Sequence, residues 1–228
     1  ALILRSLNIM ASDISEQTML LEDSALYWDM ALIGSDLGDR VYHVLFGQTE
    51  RLPLYVIFLS VMVRFFGESF LPILLVQSLI DSATCVLIMT LGQRVYASSY
   101  WVFGLLAAAW PNSIQHSASI LTDTIFLFFF TGFLVGFVSL IEEKRLRFAV
   151  LAGLALGLAT LVRPVAQFMV LLAPFLVPFI LLAAGFKFRE SISAGLTMFF
   201  VAGVLILPIS LKNVYFHNSF ALSSQNGS

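Results

Sequence analysis

Asp23 lies in the run Glu22-Asp23-Ser24-Ala25-Leu26-Tyr27, and Tyr27 and Ala31 follow it at four and eight residues. On a helix this spacing puts all three on one face. A carboxylate held there partly out of water can act as a general base toward a hydroxyl. An acid before an apolar run is equally an ordinary helix start. Both readings stand for Asp23 and for Asp123, which follows Thr122 and opens the run from Ile125 to Phe130. Arg163 is the cation inside a long apolar stretch from Phe148 to Gly185. Its planar guanidinium can grip a phosphate bidentately, or it can simply snorkel to the membrane interface. Lys212 and Asn213 are weaker candidates for the same phosphate. Asp81 falls midway along an apolar segment with Gln77 one turn earlier, where an acid is either functional or a hydrogen-bonded structural group. His43, His116 and His217 could gather around a metal with Asp23 or Asp123, but no two are spaced like a helix-borne metal pair. No cofactor is certain and a divalent metal stays open.

The elements that must position these groups are set by composition. The 228 residues are 59% hydrophobic and 11% charged, with a mean hydropathy of +0.94, whereas a soluble domain carries roughly 25% charge. High hydrophobicity excludes intrinsic disorder, and Cys85, the single cysteine, excludes a disulfide scaffold. A net charge of -2 without a basic tract excludes a nucleic-acid partner. The composition predicts an all-α, polytopic transmembrane helical bundle. Nine of the fourteen acids precede residue 71, so the first third contains a water-exposed segment and the remainder is mostly lipid-embedded. The start at Ala1 and the polar stretch Gln225 to Ser228 read as the limits of a piece of a longer chain.

A span needs about 20 apolar residues. Residues 1–10, broken by Arg5, read as the tail of a first membrane helix or an interfacial segment. Residues 11–70 read as a first outer loop, with Pro53 to Phe66 too short to cross and better placed along the surface. Six spans are expected within 71–211, at 71–91, 99–118, 122–141, 148–162, 165–185 and 191–211, and 212–228 opens a further outer segment. Proline disfavours helix at the residue before it, so a turn is expected at Arg163-Pro164. With six spans, Arg94, Lys144, Arg145, Arg147, Lys187 and Arg189 share one side, which the positive-inside rule makes cytoplasmic. Asp23, Asp123, Arg163, Lys212 and the three histidines then meet at the opposite face. The Gly132/Gly136 and Gly153/Gly157 pairs fit close helix packing.

These segments together resemble the membrane-embedded sugar transferases of the GT-C fold, in the branch of the protein O-mannosyltransferases and the lipid A aminoarabinose transferase. The resemblance runs through Asp23, Tyr27 and Ala31, then Arg51-Leu52-Pro53-Leu54-Tyr55, Phe66-Gly67, Gln77 with Ile80-Asp81, and Pro111. It continues through Asp123, Gly153/Gly157 ahead of Arg163-Pro164, and Lys212-Asn213 followed by Ser224 to Gly227. Two departures are Ser24, where the family often has a second acid, and Asp123, where Glu is frequent. The resemblance implies surface-lying helices in the first outer loop and inverting transfer of a sugar from a polyprenyl-phosphate donor to an acceptor hydroxyl on a protein, lipid or glycan, at the extracytoplasmic face of the inner or plasma membrane. It implies Asp23 as base. Asp123 would assist, Arg163 and Lys212 would hold the donor phosphate, and Tyr27, Tyr55 and His116 would support the substrate site. A secondary transporter or flippase for lipid-linked intermediates, with Asp81 as an ion relay, is the alternative; no internal repeat supports it.

Overall fold

The computed structural model describes residues 1–20, 23–35, 51–218 and 222. Among them the chain forms eleven α-helices and no strand: α1 Leu2–Ala11, α2 Glu16–Met19, α3 Asp23–Ser35, α4 Pro53–Phe66, α5 Phe70–Val95, α6 Tyr100–Ala108, α7 Pro111–Ser117, α8 Asp123–Glu143, α9 Leu146–Val162, α10 Gln167–Ala183 and α11 Phe188–His217, with a 3-10 turn at Pro164–Ala166 ahead of α10. Four segments are long and apolar enough to span a bilayer: Phe70–Val95, Asp123–Glu143, Pro164–Ala183 and Phe188–Phe216. The 21 residues of α8 measure about 31 Å at the α-helical rise, matching a hydrocarbon core of roughly 30 Å. The 17 residues of α9 measure about 25 Å and fall short of it.

Residues 99–118 are not the continuous span that their apolarity predicts. They form α6 and α7, separated at Ala109 and Trp110. Pro111 occupies the first position of α7 and Trp110 is extended, with φ -67° and ψ 116°. The proline ring blocks the helical conformation of the residue before it. The expected turn at Arg163-Pro164 has the same cause, with Arg163 extended at φ -137° and ψ 129°.

The buried apolar side chains among the described residues form two clusters. One gathers α3, α4 and the first turns of α5 around Tyr55, Leu59, Ile73 and Leu74, with Ile120 and Val162 reaching in. The other lies within α8 to α11 around Leu156, Leu181 and Met198. Phe126 and Phe129 of α8 pack against both. In the second core, α9 lies against α8 and α11, and α10 lies against α11. A side chain at Gly153 would place its Cβ 2.9 Å from the Met198 carbonyl oxygen, so only glycine allows the backbones of α9 and α11 to approach this closely. On the outside of α10, Phe175 and Phe179 are more than two-thirds exposed, as suits a face that meets lipid.

Arg5 and Asp81 are a buried ion pair joining α1 to α5. The guanidinium also donates to the Ala108 carbonyl oxygen at 3.1 Å, reaching the end of α6. Residues 1–10 thus form a helix whose cation is spent inside the protein. Removing one partner of such a pair strands a charge and costs about 3–5 kcal/mol, whereas replacing both with apolar groups can be close to neutral. Thermal unfolding of the full-length protein in detergent should therefore show larger losses for Arg5→Met and for Asp81→Leu than for the double variant; strictly additive losses would show that the two charges are not coupled.

Candidate active site

The helix starts put two carboxylates at one end of the bundle. Asp23 lies in the first turn of α3 and Asp123 in the first turn of α8, where the helix dipole favours negative charge. Each is paired with an arginine. Arg51, just ahead of α4, donates from Nη2 to Asp23 Oδ1. Its side chain is only 10% exposed, while that of Asp23 is 60% exposed. Arg163 donates from Nη1 and Nη2 to the two carboxylate oxygens of Asp123 at 2.9 and 3.1 Å, and from Nε to Thr122 Oγ1 at 3.0 Å. Because Pro164 keeps Arg163 extended beyond the end of α9, its side chain turns toward the start of α8.

Tyr27 and Tyr55 join the two ion pairs. The Arg51 guanidinium lies 5.1 Å from the centre of the Tyr27 ring, and that ring meets Tyr55 edge to face at 5.0 Å. Tyr55 is fully buried. Its hydroxyl donates to Gln77 Oε1 at 3.3 Å, and Gln77 Nε2 donates to the Ser119 carbonyl oxygen at 2.9 Å. Burial, then the neighbouring Tyr27 and the Asp123 charge, push the Tyr55 phenol well above its ordinary value. Burial also raises the Tyr27 phenol, against the opposing effect of Arg51; Asp23 and Arg163 act on it as well. One tyrosine pair therefore lies within electrostatic reach of both carboxylates and both arginines.

The expected site residues separate into groups. Asp23, Tyr27, Tyr55, Asp123 and Arg163 converge. Tyr55 is enclosed, against the Tyr27 ring and bonded to Gln77. His116 lies on α7 within electrostatic reach of Asp81, and no described bond joins it to Asp23, Tyr27 or Tyr55. Lys212 is buried on α11 and is not among the described partners of Arg163, which are Thr122, Asp123 and the Phe126 ring. Next to it, Asn213 Nδ2 donates to the Leu222 carbonyl oxygen at 3.2 Å. His43 lies outside the described residues, as does the side chain of His217. Among the described residues no group of three or more His, Cys, Asp or Glu side chains could hold a metal ion. Asp81, on which an ion relay would depend, is bonded to Arg5 in the interior.

Arg51 and Arg5 are the ion-pair partners of Asp23 and Asp81 that sequence reasoning passed over. Signals for both existed: Arg5 interrupts an apolar run and Asp81 another, and each such charge requires a counterpart. Arg51 stands immediately before Leu-Pro-Leu-Tyr, but nothing local ties it to an acid 28 residues earlier.

The opposite end of the bundle carries the paired cations of the short loops. Arg94 at the end of α5 bonds Glu142 at the end of α8, and Arg147 bonds Glu143. An all-helical bundle with several membrane-length helices, a charged cluster at one end and cationic loops at the other is an integral membrane protein built around a terminal polar site. Residues 50–215 match the family described as dolichyl-phosphate-mannose-protein mannosyltransferase, and the chain belongs to that family. No curated protein and no solved structure matches it. The family makes this a membrane glycosyltransferase of the mannosyltransferase type. The matched residues include Tyr55, Asp123, Arg163 and Lys212, while Asp23 and Tyr27 precede them.

A buried phenol with a raised pKa contributes stability that is fully present below the unfolded-state value of about 10 and is lost as pH rises toward the folded-state value. Tyr55→Phe should cost about 1–3 kcal/mol at neutral pH by leaving Gln77 Oε1 short of a donor, yet lose less stability than the wild type between neutral pH and about pH 11. Thermal unfolding at the two pH values measures both effects; an equal alkaline loss would show that Tyr55 ionises as freely in the folded state as in the unfolded one.

Proposed function

We propose that this chain transfers a sugar, in an inverting reaction, from a polyprenyl-phosphate donor to an acceptor hydroxyl at the extracytoplasmic face. The observation that carries the proposal is the pair of carboxylate-arginine contacts flanking Tyr27 and Tyr55 at the end of the bundle away from the cationic loops. The positive-inside rule makes the cationic end cytoplasmic, which puts the cluster on the other side, where the headgroup of a lipid-linked donor lies. This orientation also makes residues 11–70 an outer loop with juxtamembrane helices and 212–228 the start of a further outer segment.

In this reading Asp23 is the base. Arg51 holds Oδ1, and among the described residues nothing is bonded to Oδ2, which faces a largely exposed setting. The acceptor oxygen attacks the anomeric carbon from the face opposite the phosphate and gives its proton to Asp23. The bond between the anomeric carbon and the phosphate oxygen breaks, and the electron pair leaves with polyprenyl phosphate. Cations stabilise that departing charge. Arg163 commits three of its N–H groups to Thr122 and Asp123, which leaves others for the phosphate, and Asp123 orients the guanidinium. Lys212 is a second cation for the phosphate.

Removing a general base typically lowers the rate by about 10²–10⁴-fold. Asp23→Asn in the full-length protein, assayed with polyprenyl-phosphate mannose, should lose activity on that scale with an unchanged elution profile and little change in donor KM; near-normal transfer by the folded variant would overturn the base assignment. Arg163→Lys keeps the charge but loses the planar bidentate grip. It should raise the donor KM about tenfold, equivalent to about 1.4 kcal/mol, whereas lower stability with an unchanged KM would confine Arg163 to bracing α8 against α9.

A further inference from the structure

At the cationic end, a cavity of about 450 Å³ opens between the α8–α9 turn and the start of α11. Lys144, Lys187 and Arg189 line it with one acid, Glu190, over an apolar floor that includes Leu140 and Phe186. Its charges differ from those nearby. Arg94 and Arg147 are neutralised by Glu142 and Glu143, but among the described residues no carboxylate lies within ion-pair distance of Lys144, Lys187 or Arg189.

Lys144 is held in place. It terminates α8 in the left-handed conformation, at φ 52°. Its Nζ donates to the Gly185 carbonyl oxygen at 3.2 Å and lies 5.0 Å from the centre of the Phe186 ring. Gly185 itself is left-handed, at φ 78°, and closes α10 in a Schellman turn: Phe186 N–H bonds the Leu181 carbonyl and Gly185 N–H bonds the Leu182 carbonyl, both at 3.0 Å. This turn fixes the position of the cation before any ligand arrives.

A second depression, of about 520 Å³, shares Arg189 and Ser193 with the first and continues along α11 past Leu196 and Phe200. Positions 189, 193, 196 and 200 form one stripe of the helix, about 16 Å long. The stripe begins at a cation and runs into the membrane-spanning part of α11. A free anion would use the cavity and leave the groove empty, whereas a lipid fills both.

We propose that this cavity and groove bind one anionic glycerophospholipid, with its phosphate on Lys144, Lys187 and Arg189 and an acyl chain along Leu196 and Phe200. Three cations against one carboxylate favour an anionic headgroup over a zwitterionic one, and each basic residue near a membrane surface adds to that preference. The site lies at the opposite end of the bundle from Asp23 and Asp123, so it is separate from the proposed donor site and stands or falls independently of it.

The test uses the full-length protein in phosphatidylcholine nanodiscs supplemented with phosphatidylglycerol, with retained lipids counted by native mass spectrometry. Wild type should retain phosphatidylglycerol over phosphatidylcholine on the order of tenfold. Lys187→Gln with Arg189→Gln should abolish the preference, and Arg147→Gln, which removes a cation already paired with Glu143, should keep it. Leu196→Trp, which fills the groove without altering charge, should weaken retention and carries the test if the double variant misfolds. Equal retention by wild type and the double variant, an equal loss in Arg147→Gln, displacement by inorganic phosphate, or preferential retention of polyprenyl phosphate would each overturn the proposal.

Discussion

The bidentate contact between Arg163 and Asp123 ties the end of α9 to the start of α8, and the polar end of the molecule is arranged around it. Two helices that pack along their lengths can still slide or splay at their ends, because apolar contact is non-directional. A planar guanidinium on a carboxylate permits one geometry. Its position leaves Phe126 under the guanidinium, 5.9 Å from ring centre to Cζ, and Phe126 packs against both apolar cores. The pair therefore registers the α8–α11 bundle against the layer of α3 and α4 that carries Asp23, Tyr27 and Tyr55.

Much of the architecture was legible because its signals are local. Pro53 at the first helical position and Phe66 followed by Gly67 bound α4 at the expected residues. Pro164 fixed the end of α9, and Asp123 after Thr122 marked the start of α8. Pro111 is the same kind of signal, but the apolarity of 99–118 outweighed it. Hydropathy reports how much of a segment avoids water, not whether its backbone is continuous, and a break next to other helices remains as apolar as a span.

Partner choice was less legible, for a physical reason. The cost of burying Arg5 or Asp81 alone demands that each have a partner, but it does not say which one, and their separation of 76 residues leaves no local pattern. Arg51 posed the same problem for Asp23. Convergence of Asp23, Tyr27, Asp123 and Arg163 could be anticipated because topology alternates helix ends between two faces. His116 satisfied the same topological criterion and yet stands toward Asp81, since sharing a face is a coarser condition than sharing a contact.

The distribution of charge between the two ends has a consequence for ligands. At the polar end Asp23 and Asp123 are each matched by an arginine, so the cluster formed by these two pairs is close to neutral. In the proposed reaction an incoming phosphate shares a guanidinium already held by Thr122 and Asp123, using the N–H groups they leave, rather than filling an open cationic socket. Sharing of this kind favours a ligand whose geometry matches the preset guanidinium plane, because distortion of the existing contact would offset any gain. At the other end Lys187 and Arg189 lack carboxylate partners among the described residues and face an apolar groove, an arrangement selective for charge and chain together. The matched pairs suit a site where an anion must bind and then leave, and the unmatched cations suit one where a lipid stays.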